Sequence, residues 1–183
     1  LDFGFRVTTG NRYLGRFISK EDALCSWLLE KTQAWEEVVA DLASVATNFP
    51  QAAYSGLQKS LQQEWQFVQR VAKGIGPEFK NIQLALARTF LPTLFGDDYN
   101  ENNPYRKISS LPVKCAGLAI SGPTSLAELN YNASILLCLH ILAAFRGVDF
   151  FCSANHMAVI AKVKAEVKVC NQAKNESAMI SLT

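Results

Sequence analysis

Apolar side chains recur at alternating spacings of three and four residues through the first half of the chain, and this periodicity constrains the fold more than any other feature. Such spacing places side chains on one face of an α-helix. The first run predicts a long helix, beginning near residue 19, that packs one face tightly against another helix. Its members are Leu24, Leu28, Trp35, Val38, Leu42, Val45 and Phe49, interrupted at Lys31.

Two further runs repeat the pattern. Pro50 ends the first helix or opens the second, because proline is tolerated in a first turn but not in a helix interior. Gly74 to Pro77 is a strong helix breaker between the second run and the third. We therefore expect an antiparallel pair of helices followed by a third helix, a three-helix unit over residues 19–95. The second run is Tyr54, Leu57, Leu61, Trp65, Val68 and Ala72, and the third is Phe79, Ile82, Leu86, Phe90 and Leu94.

The flanking segments differ from these helices. Residues 1–18 contain two β-rich runs around Thr9-Gly10-Asn11, which predicts a β-hairpin. Ser19 stands where the N-cap of the first helix is expected. Residues 96–123 predict a polar loop and an extended or turn-rich connector, because Asn, Asp and small residues dominate there.

Two more helices are predicted over residues 124–175. Thr124 is a candidate cap for the first of them, and Gly147 is a natural stop after Arg146. Its stretch from Ile135 to Phe145 is apolar almost all round, which predicts a buried, central helix. The second helix is expected to begin near Ser153 and to end near residue 174, with a frayed tail at 176–183. The predicted fold is mainly α, with an N-terminal β-hairpin followed by a bundle of about five to six helices.

Bulk composition sets limits on function. Hydrophobic residues make up 49% of the 183 residues and the net charge is +2, so any basic surface must be local. The five cysteines are odd in number and irregularly spaced, which favours buried thiols in a reducing, intracellular compartment, nucleus or cytoplasm. The longest apolar run, from Ala133, has about 13 residues where roughly 20 are needed to cross a bilayer, so a soluble protein with no membrane partner is expected.

Constellations that carry chemistry are weak. Asp97-Asp98 follows a glycine, as metal-binding aspartates do in many polymerases, but it enters an Asn-rich loop and favours a turn. A zinc site is disfavoured by the ligand spacing, and neither a hydrolase triad nor a phosphate-binding glycine loop is found. No catalytic residue and no metal ligand is therefore predicted. The zinc candidates considered were Cys138, His140, Cys152 and His156.

Basic side chains cluster around the predicted hairpin together with Tyr13 and Phe17, a mixture suited to phosphates and sugars. The residue types equally allow a solvated edge strand, in which charges deter aggregation. Lys59, Arg70 and Lys73 on the second helix leave the same two possibilities open. The basic residues of the hairpin region are Arg6, Arg12, Arg16 and Lys20.

Three stretches resemble one protein family. The segment from Arg12 to Ile18, RYLGRFI, resembles the Tyr-Leu-Gly primer grip that follows the palm of reverse transcriptases. Residues 111–120, LPVKCAGLAI, followed by Asn130 and Ala133, resemble the Pro-Lys-x-x-Gly-Gly-Leu-Gly-Ile stretch and later Asn found beyond the thumb of non-LTR retroelements. Residues 54–70 are similar to the region between these motifs in algal and protist reverse-transcriptase-like proteins. Ala116 and Ala119 depart from the family, which has glycine at both positions.

The resemblance implies a carboxy-terminal region of an RNA-directed DNA polymerase, with residues 1–18 as the end of the palm and residues 19–95 as the thumb. It implies contacts to an RNA/DNA template–primer duplex and to palm and fingers domains that would hold the Mg²⁺ ions, with no cofactor in this chain. Because the catalytic Tyr-x-Asp-Asp motif is absent, the chain by itself is expected to be inactive. Since Asp2 to Val7 already read as a strand, we expect a fragment of a larger product. The expected nucleic-acid-binding residues are Arg12, Tyr13, Leu14, Gly15, Arg16, Lys20, Lys59, Arg70 and Lys73.

A rival hypothesis is a helical interaction or scaffold module without enzymatic role, in which the long apolar seam of the first helix pairs with a partner protein. The sequence allows both hypotheses.

Overall fold

A computed structural model of the chain describes residues 10–13, 16–19, 21–96 and 104–180. It is mainly α-helical behind a two-stranded antiparallel sheet, as the sequence predicts. Strand β1 (Gly10–Tyr13) pairs with β2 (Arg16–Ser19), and Arg12 lies opposite Phe17. The predicted position of the turn is wrong: Gly10 and Asn11 belong to β1, and the strand pair closes between Tyr13 and Arg16. The helices are α1 (Glu21–Ala46), α2 (Pro50–Gly56), α3 (Gln62–Val71), α4 (Lys80–Ala85), α5 (Leu91–Phe95), α6 (Pro104–Ser110), α7 (Pro123–Phe145) and α8 (Ser153–Ile180).

Several helices continue into one another through short irregular segments. A π-helical segment, Leu57–Leu61, joins α2 to α3, and a second one, Leu86–Phe90, joins α4 to α5. A 3₁₀ turn, Gly76–Phe79, opens α4, with Pro77 in its first turn. The second and third predicted helices are therefore confirmed as helical runs, each with one wide turn inside it.

The main core lies between α1 and these two runs. All but Tyr54 of the predicted second-run positions, and all but Leu94 of the third-run positions, are fully buried, and those two pack against the core. Two aromatic contacts join the three helical runs: Trp35 stacks on Phe79 at a centroid distance of 6.1 Å and meets Trp65 edge-on at 6.5 Å. Burying such large side chains dominates the stabilisation of a small bundle.

The predicted seam of α1 is correct in its first half and at Leu42, which packs partly buried against the core, and it is wrong at Val38, Val45 and Phe49. Leu28 and Trp35 are buried as expected, but Val38, Val45 and Phe49 are 40%, 42% and 65% exposed. A strict seven-residue repeat drifts by about 20° per heptad around a straight helix, so its later members leave the contact face. The buried stripe instead follows Leu28, Thr32, Trp35, Val39, Ala43 and Ala46.

The predicted connector contains α6 and a 3₁₀ turn, Val113–Cys115. Residues 104–123, which we call the clasp, cross over α2 and α3. Tyr54 Oη donates to the Leu118 carbonyl at 2.7 Å, and Gln62 Nε2 donates to the Ala119 carbonyl at 3.2 Å. Arg106 Nη1 donates to the Ile120 carbonyl at 3.0 Å. The extended backbone of the clasp is therefore satisfied by side chains as well as by its own turns.

Gln69 links the end of the clasp to the start of α7. This side chain is 0% exposed, and its Nε2 donates to the Pro123 carbonyl at 2.8 Å. Its Oε1 accepts from Asn130 Nδ2 at 2.7 Å. Pro123 and Ala127 are buried, so the first two turns of α7 are fixed on the bundle.

The prediction that α7 is a buried central helix is wrong. Beyond Asn130 the helix leaves the bundle and packs against α8 on one side, and most of its outer residues are exposed. Phe145, Val148 and Phe150, at the turn between the two helices, are 86%, 78% and 91% exposed. The apolar composition of α7 reflects a protruding helical hairpin instead of a core element.

Five smaller predictions are also corrected. Ser19, the expected N-cap of the first helix, lies in β2, and α1 begins at Glu21. Pro123, not Thr124, opens α7, and Thr124 Oγ1 is buried without a hydrogen-bond partner in the described part of the chain. The predicted frayed tail is helical as far as Ile180, since no glycine or proline interrupts α8. The loop and connector predicted for 96–123 include the helix α6. The cysteines are not buried thiols: Cys25, Cys138 and Cys152 are exposed, and Cys115 and Cys170 are partly exposed. The stop at Gly147, which has φ +67°, is confirmed.

Candidate nucleic-acid interface

An aromatic contact helps to dock the β-hairpin on the helical bundle. Phe17 of β2 stacks on Trp27 of α1, with ring centroids 5.4 Å apart and planes 7° from parallel. Arg12 lies opposite Phe17 across the strand pair and is exposed. The hairpin thus stands beside the N-terminal half of α1, and its basic strand lies next to the bundle surface.

Between the hairpin, α1 and α3 lies a cleft of about 440 Å³, which we call the hairpin cleft. Its floor is apolar, because Trp35 and Val68 are buried there. Its rim mixes cationic, aromatic and amide side chains. The lining residues are Arg12, Trp27, Lys31, Trp35, Gln63, Glu64, Phe67 and Val68.

The charges of the cleft are unequal. Arg12 and Lys31 contribute two cations against the one carboxylate of Glu64. That carboxylate is already engaged, since Glu64 Oε2 accepts a 3.0 Å hydrogen bond from Trp35 Nε1. The hydrogen bond fixes the indole in the floor and disperses part of the negative charge. A net positive cleft with exposed aromatic edges attracts phosphates and accepts a sugar or base face.

Arg70 extends the basic edge along α3. It follows Gln63 by seven residues and Phe67 by three, so these side chains share one side of the helix. Phe67 is 40% exposed and Arg70 is exposed. Cations therefore line the path from β1 to the end of α3.

The other predicted site residues are distributed more loosely. Lys59 is exposed on the π-helical segment, and Lys73 is exposed just after α3. The backbones of Tyr13 and Arg16 face each other at the end of the strand pair. Their side chains, and the whole of Arg6, Leu14, Gly15 and Lys20, lie outside the described residues. Of these predicted residues Arg12 lines the cleft, Arg70 lies outside the lining on the same side of α3 as Gln63 and Phe67, and Lys59 and Lys73 also lie outside it.

Sequence reasoning missed Lys31, Trp27 and Phe67 as parts of this surface. Lys31 interrupts an otherwise apolar seam, and a charged residue at such a position indicates that the helix face opens there to solvent or to a ligand. Trp27 and Phe67 carry no such signal, because exposed aromatic residues on helices are common.

The cysteines and histidines considered for zinc do not gather into a metal-ligand cluster in the described part of the chain. Within the residues that the structure describes, no group of three or more potential metal ligands is found, although the rings of His140 and His156 stand 6.1 Å apart. Cys138 and Cys152 are exposed. Asp97 and Asp98 lie outside the described residues.

Helix α7 is both long, at 23 residues, and rich in apolar side chains. In the described part of the chain it is the one helix long and apolar enough to cross a membrane, and 6% of its most apolar window is buried. The expectation of no membrane partner stays a prediction.

Comparisons of the chain with protein-family models, with curated proteins and with solved structures found no match.

Proposed function

We propose that this chain is the thumb region of an RNA-directed DNA polymerase of the retroelement type, and that it positions the template–primer duplex without carrying the catalytic aspartates. The observation that carries the proposal is the hairpin cleft, in which Arg12 and Lys31 stand over an aromatic floor. Thumb and primer-grip elements bind a duplex mainly through its backbone, which requires cations and aromatic surface more than hydrogen bonds to base edges.

Backbone conformation supports the family assignment. Among the described residues, the non-glycine positions with positive φ are Ala116 at 60° and Ala119 at 53°. These are the two positions at which the resembled motif has glycine. An alanine in this left-handed region costs roughly 1–2 kcal/mol, whereas glycine adopts it freely. The clasp thus has the conformation that the glycines of the motif would favour.

The remaining motif residues contact one another. The Tyr54 hydroxyl reaches the Leu118 carbonyl, and Gln69 reaches both Pro123 and Asn130. Two of the three stretches that resemble the family, residues 54–70 and residues 111–120 with the later Asn130, are thus in contact. We infer that the motif of residues 111–120 is structural: it holds the thumb helices together, while binding falls to the hairpin cleft.

The proposal is tested by titrating the 183-residue chain with a fluorescently labelled RNA/DNA hybrid and measuring anisotropy at several salt concentrations. Binding should be insensitive to sequence and should weaken steeply as salt rises, because bound cations displace counterions from phosphates. Arg12→Ala, Lys31→Ala and Arg70→Ala should each weaken binding and lower the salt slope by about one.

Lys162→Ala serves as the matched control, because Lys162 is an exposed cation on α8 that does not line the cleft. It should leave the affinity and the salt slope unchanged. The proposed role of the cleft is wrong if the hybrid does not bind at low salt, or if the Arg12 and Lys31 variants bind as tightly as the control.

The second candidate, a helical interaction module, is favoured by the exposed apolar surface of α7. This function implies binding to a partner protein that the cleft substitutions do not weaken. The same variants therefore distinguish the two candidate functions.

A further inference from the structure

The outer face of α7 carries one continuous stripe of exposed residues. At 3.6 residues per turn these positions lie within about 40° of a single line along the helix. The stripe consists of Glu128, Asn132, Ile135, Leu139, Leu142 and Arg146, all of them exposed. We call it the α7 stripe.

The stripe has an apolar centre and opposite charges at its ends. Ile135, Leu139 and Leu142 are 38%, 51% and 41% exposed, which is high for aliphatic residues. No charged residue occurs between Glu128 and Arg146. Helix α7 packs on α8 through its less exposed side, and Leu139 of the stripe also borders a surface groove shared with Val159 and Val163 of α8.

We propose that the α7 stripe is a homodimer interface in which α7 of one copy packs antiparallel on α7 of a second copy. An antiparallel two-fold arrangement centred on the stripe sets Glu128 beside Arg146 of the second copy, and the reciprocal pair forms by symmetry. Ile135 then packs beside Leu139 of the second copy, again twice. Such self-complementarity is what a two-fold interface requires.

Charge excludes the parallel arrangement. A parallel pair would set Glu128 beside Glu128 and Arg146 beside Arg146, so both ends would repel. The antiparallel arrangement converts the same four charges into two attractive pairs at the rim of an apolar contact, which is the usual anatomy of an interface.

The tip of each hairpin enlarges the contact. Phe145 precedes Arg146, Val148 and Phe150 follow it, and their large exposed fractions add apolar surface at the tip of the hairpin. A stable interface buries about 800 Å² on each partner. Two hairpins joined through α7 form a four-helix arrangement with α8 on its outer sides.

A lipid bilayer fits this surface less well. The bundle holds the first two turns of α7 through Gln69, which leaves residues 131–145, about 22 Å of helix, against a hydrocarbon core of about 30 Å. A hairpin that entered tip first would also carry Arg146 and Asp149 into the hydrocarbon, at a cost that burial of a few aliphatic residues does not offset.

The experiment is analytical ultracentrifugation of the full chain over a range of concentrations. Wild-type protein should sediment as a dimer in equilibrium with monomer. Glu128→Lys and Arg146→Glu should each raise the dimer dissociation constant roughly tenfold, because each turns both end pairs repulsive. The double variant Glu128→Lys/Arg146→Glu should restore dimerisation, since the exchanged charges still attract.

The matched controls Glu37→Lys and Lys59→Glu reverse exposed charges on α1 and on the Leu57–Leu61 segment, and should not change dimerisation. Leu139→Lys should give a monomer, with helical circular dichroism showing that it remains folded. The proposal is overturned by a wild-type chain that stays monomeric, by a double variant that does not recover, or by co-flotation of the monomer with phospholipid vesicles. The proposal is independent of nucleic-acid binding, because the stripe and the hairpin cleft share no residue.

Discussion

At the scale of single residues, the clasp shows how much depends on a few backbone positions. Gly117 is buried, and a Cβ added there would collide with the carbonyl group of Leu111. The residues on either side of this close approach include two alanines in left-handed conformation. The clasp therefore needs glycine at one position for space and would benefit from it at two others for conformation.

Replacing Ala116 or Ala119 by glycine should stabilise the protein by about 0.5–1 kcal/mol for each substitution, because the relief of left-handed strain exceeds the added entropy of the unfolded chain. Thermal unfolding should shift upward by about 2–4 °C per kcal/mol for a chain of this size. Ala165→Gly, at an exposed position inside α8, is the matched control and should lower stability. Equal effects at the three positions would contradict the conformational argument.

Gln69 is the second residue on which the architecture depends. Gln69→Leu keeps a side chain of similar volume but leaves the Pro123 carbonyl and the Asn130 amide without their hydrogen-bond partner. Each unsatisfied buried group costs roughly 1–3 kcal/mol. Chemical denaturation should therefore show a loss of about 3 kcal/mol. Gln63→Leu, at an exposed position two turns earlier on the same helix, should change stability little.

At the scale of elements, the β-hairpin depends on its contact with α1. An isolated two-stranded sheet is marginally stable in water. The stack of Phe17 on Trp27 supplies the anchor, and residues 24–95 form a core of their own without it.

Trp27→Ala should accordingly free the hairpin while the bundle stays folded. Amide hydrogen exchange should accelerate in residues 10–13 and 16–19, with little change in α3 or in α4. Leu29→Ala, at a position on the same helix that is 50% exposed, is the control and should leave the hairpin unaffected. If exchange accelerates through the whole chain instead, Trp27 belongs to the core and does not act as an anchor.

At the scale of the whole molecule, the bundle with its clasp and the α7–α8 hairpin differ in how much buried surface stabilises them. The bundle and clasp share buried aromatic residues and hydrogen bonds. Beyond Asn130, α7 packs on α8. Among the described residues of this two-helix hairpin, Val163 is buried, at 5% exposure. The exposed apolar surface of this hairpin is larger than isolated domains usually carry. This is the physical reason to expect that a second copy covers it.

Amide hydrogen exchange measured at two protein concentrations should therefore distinguish residues 131–145 from α3. In dilute protein, residues 131–145 should exchange faster than α3, because little buried surface opposes local opening. At high concentration the same residues should become protected while α3 remains unchanged. Protection that does not depend on concentration would show that α8 by itself stabilises the helix.

The sequence by itself determined the helices that form the bundle. Their apolar spacing, the proline and glycine positions between them and the β-rich start are local properties, so the three-helix unit, the N-terminal hairpin and the stop at Gly147 followed from reading the chain. Local patterns also limited the chemistry, since no complete catalytic set is visible in the residues.

The tertiary structure decided which faces are covered. Periodicity reports that a face is apolar, but it does not report what lies against that face. The seam of α1 consequently diverged from the observed stripe, and the most apolar helix, α7, proved to be on the outside. The hairpin cleft likewise depends on Arg12, Lys31 and Phe67 meeting from separate parts of the chain. Such a meeting is fixed by the packing of Phe17 on Trp27, a contact between residues whose individual patterns give no sign of it.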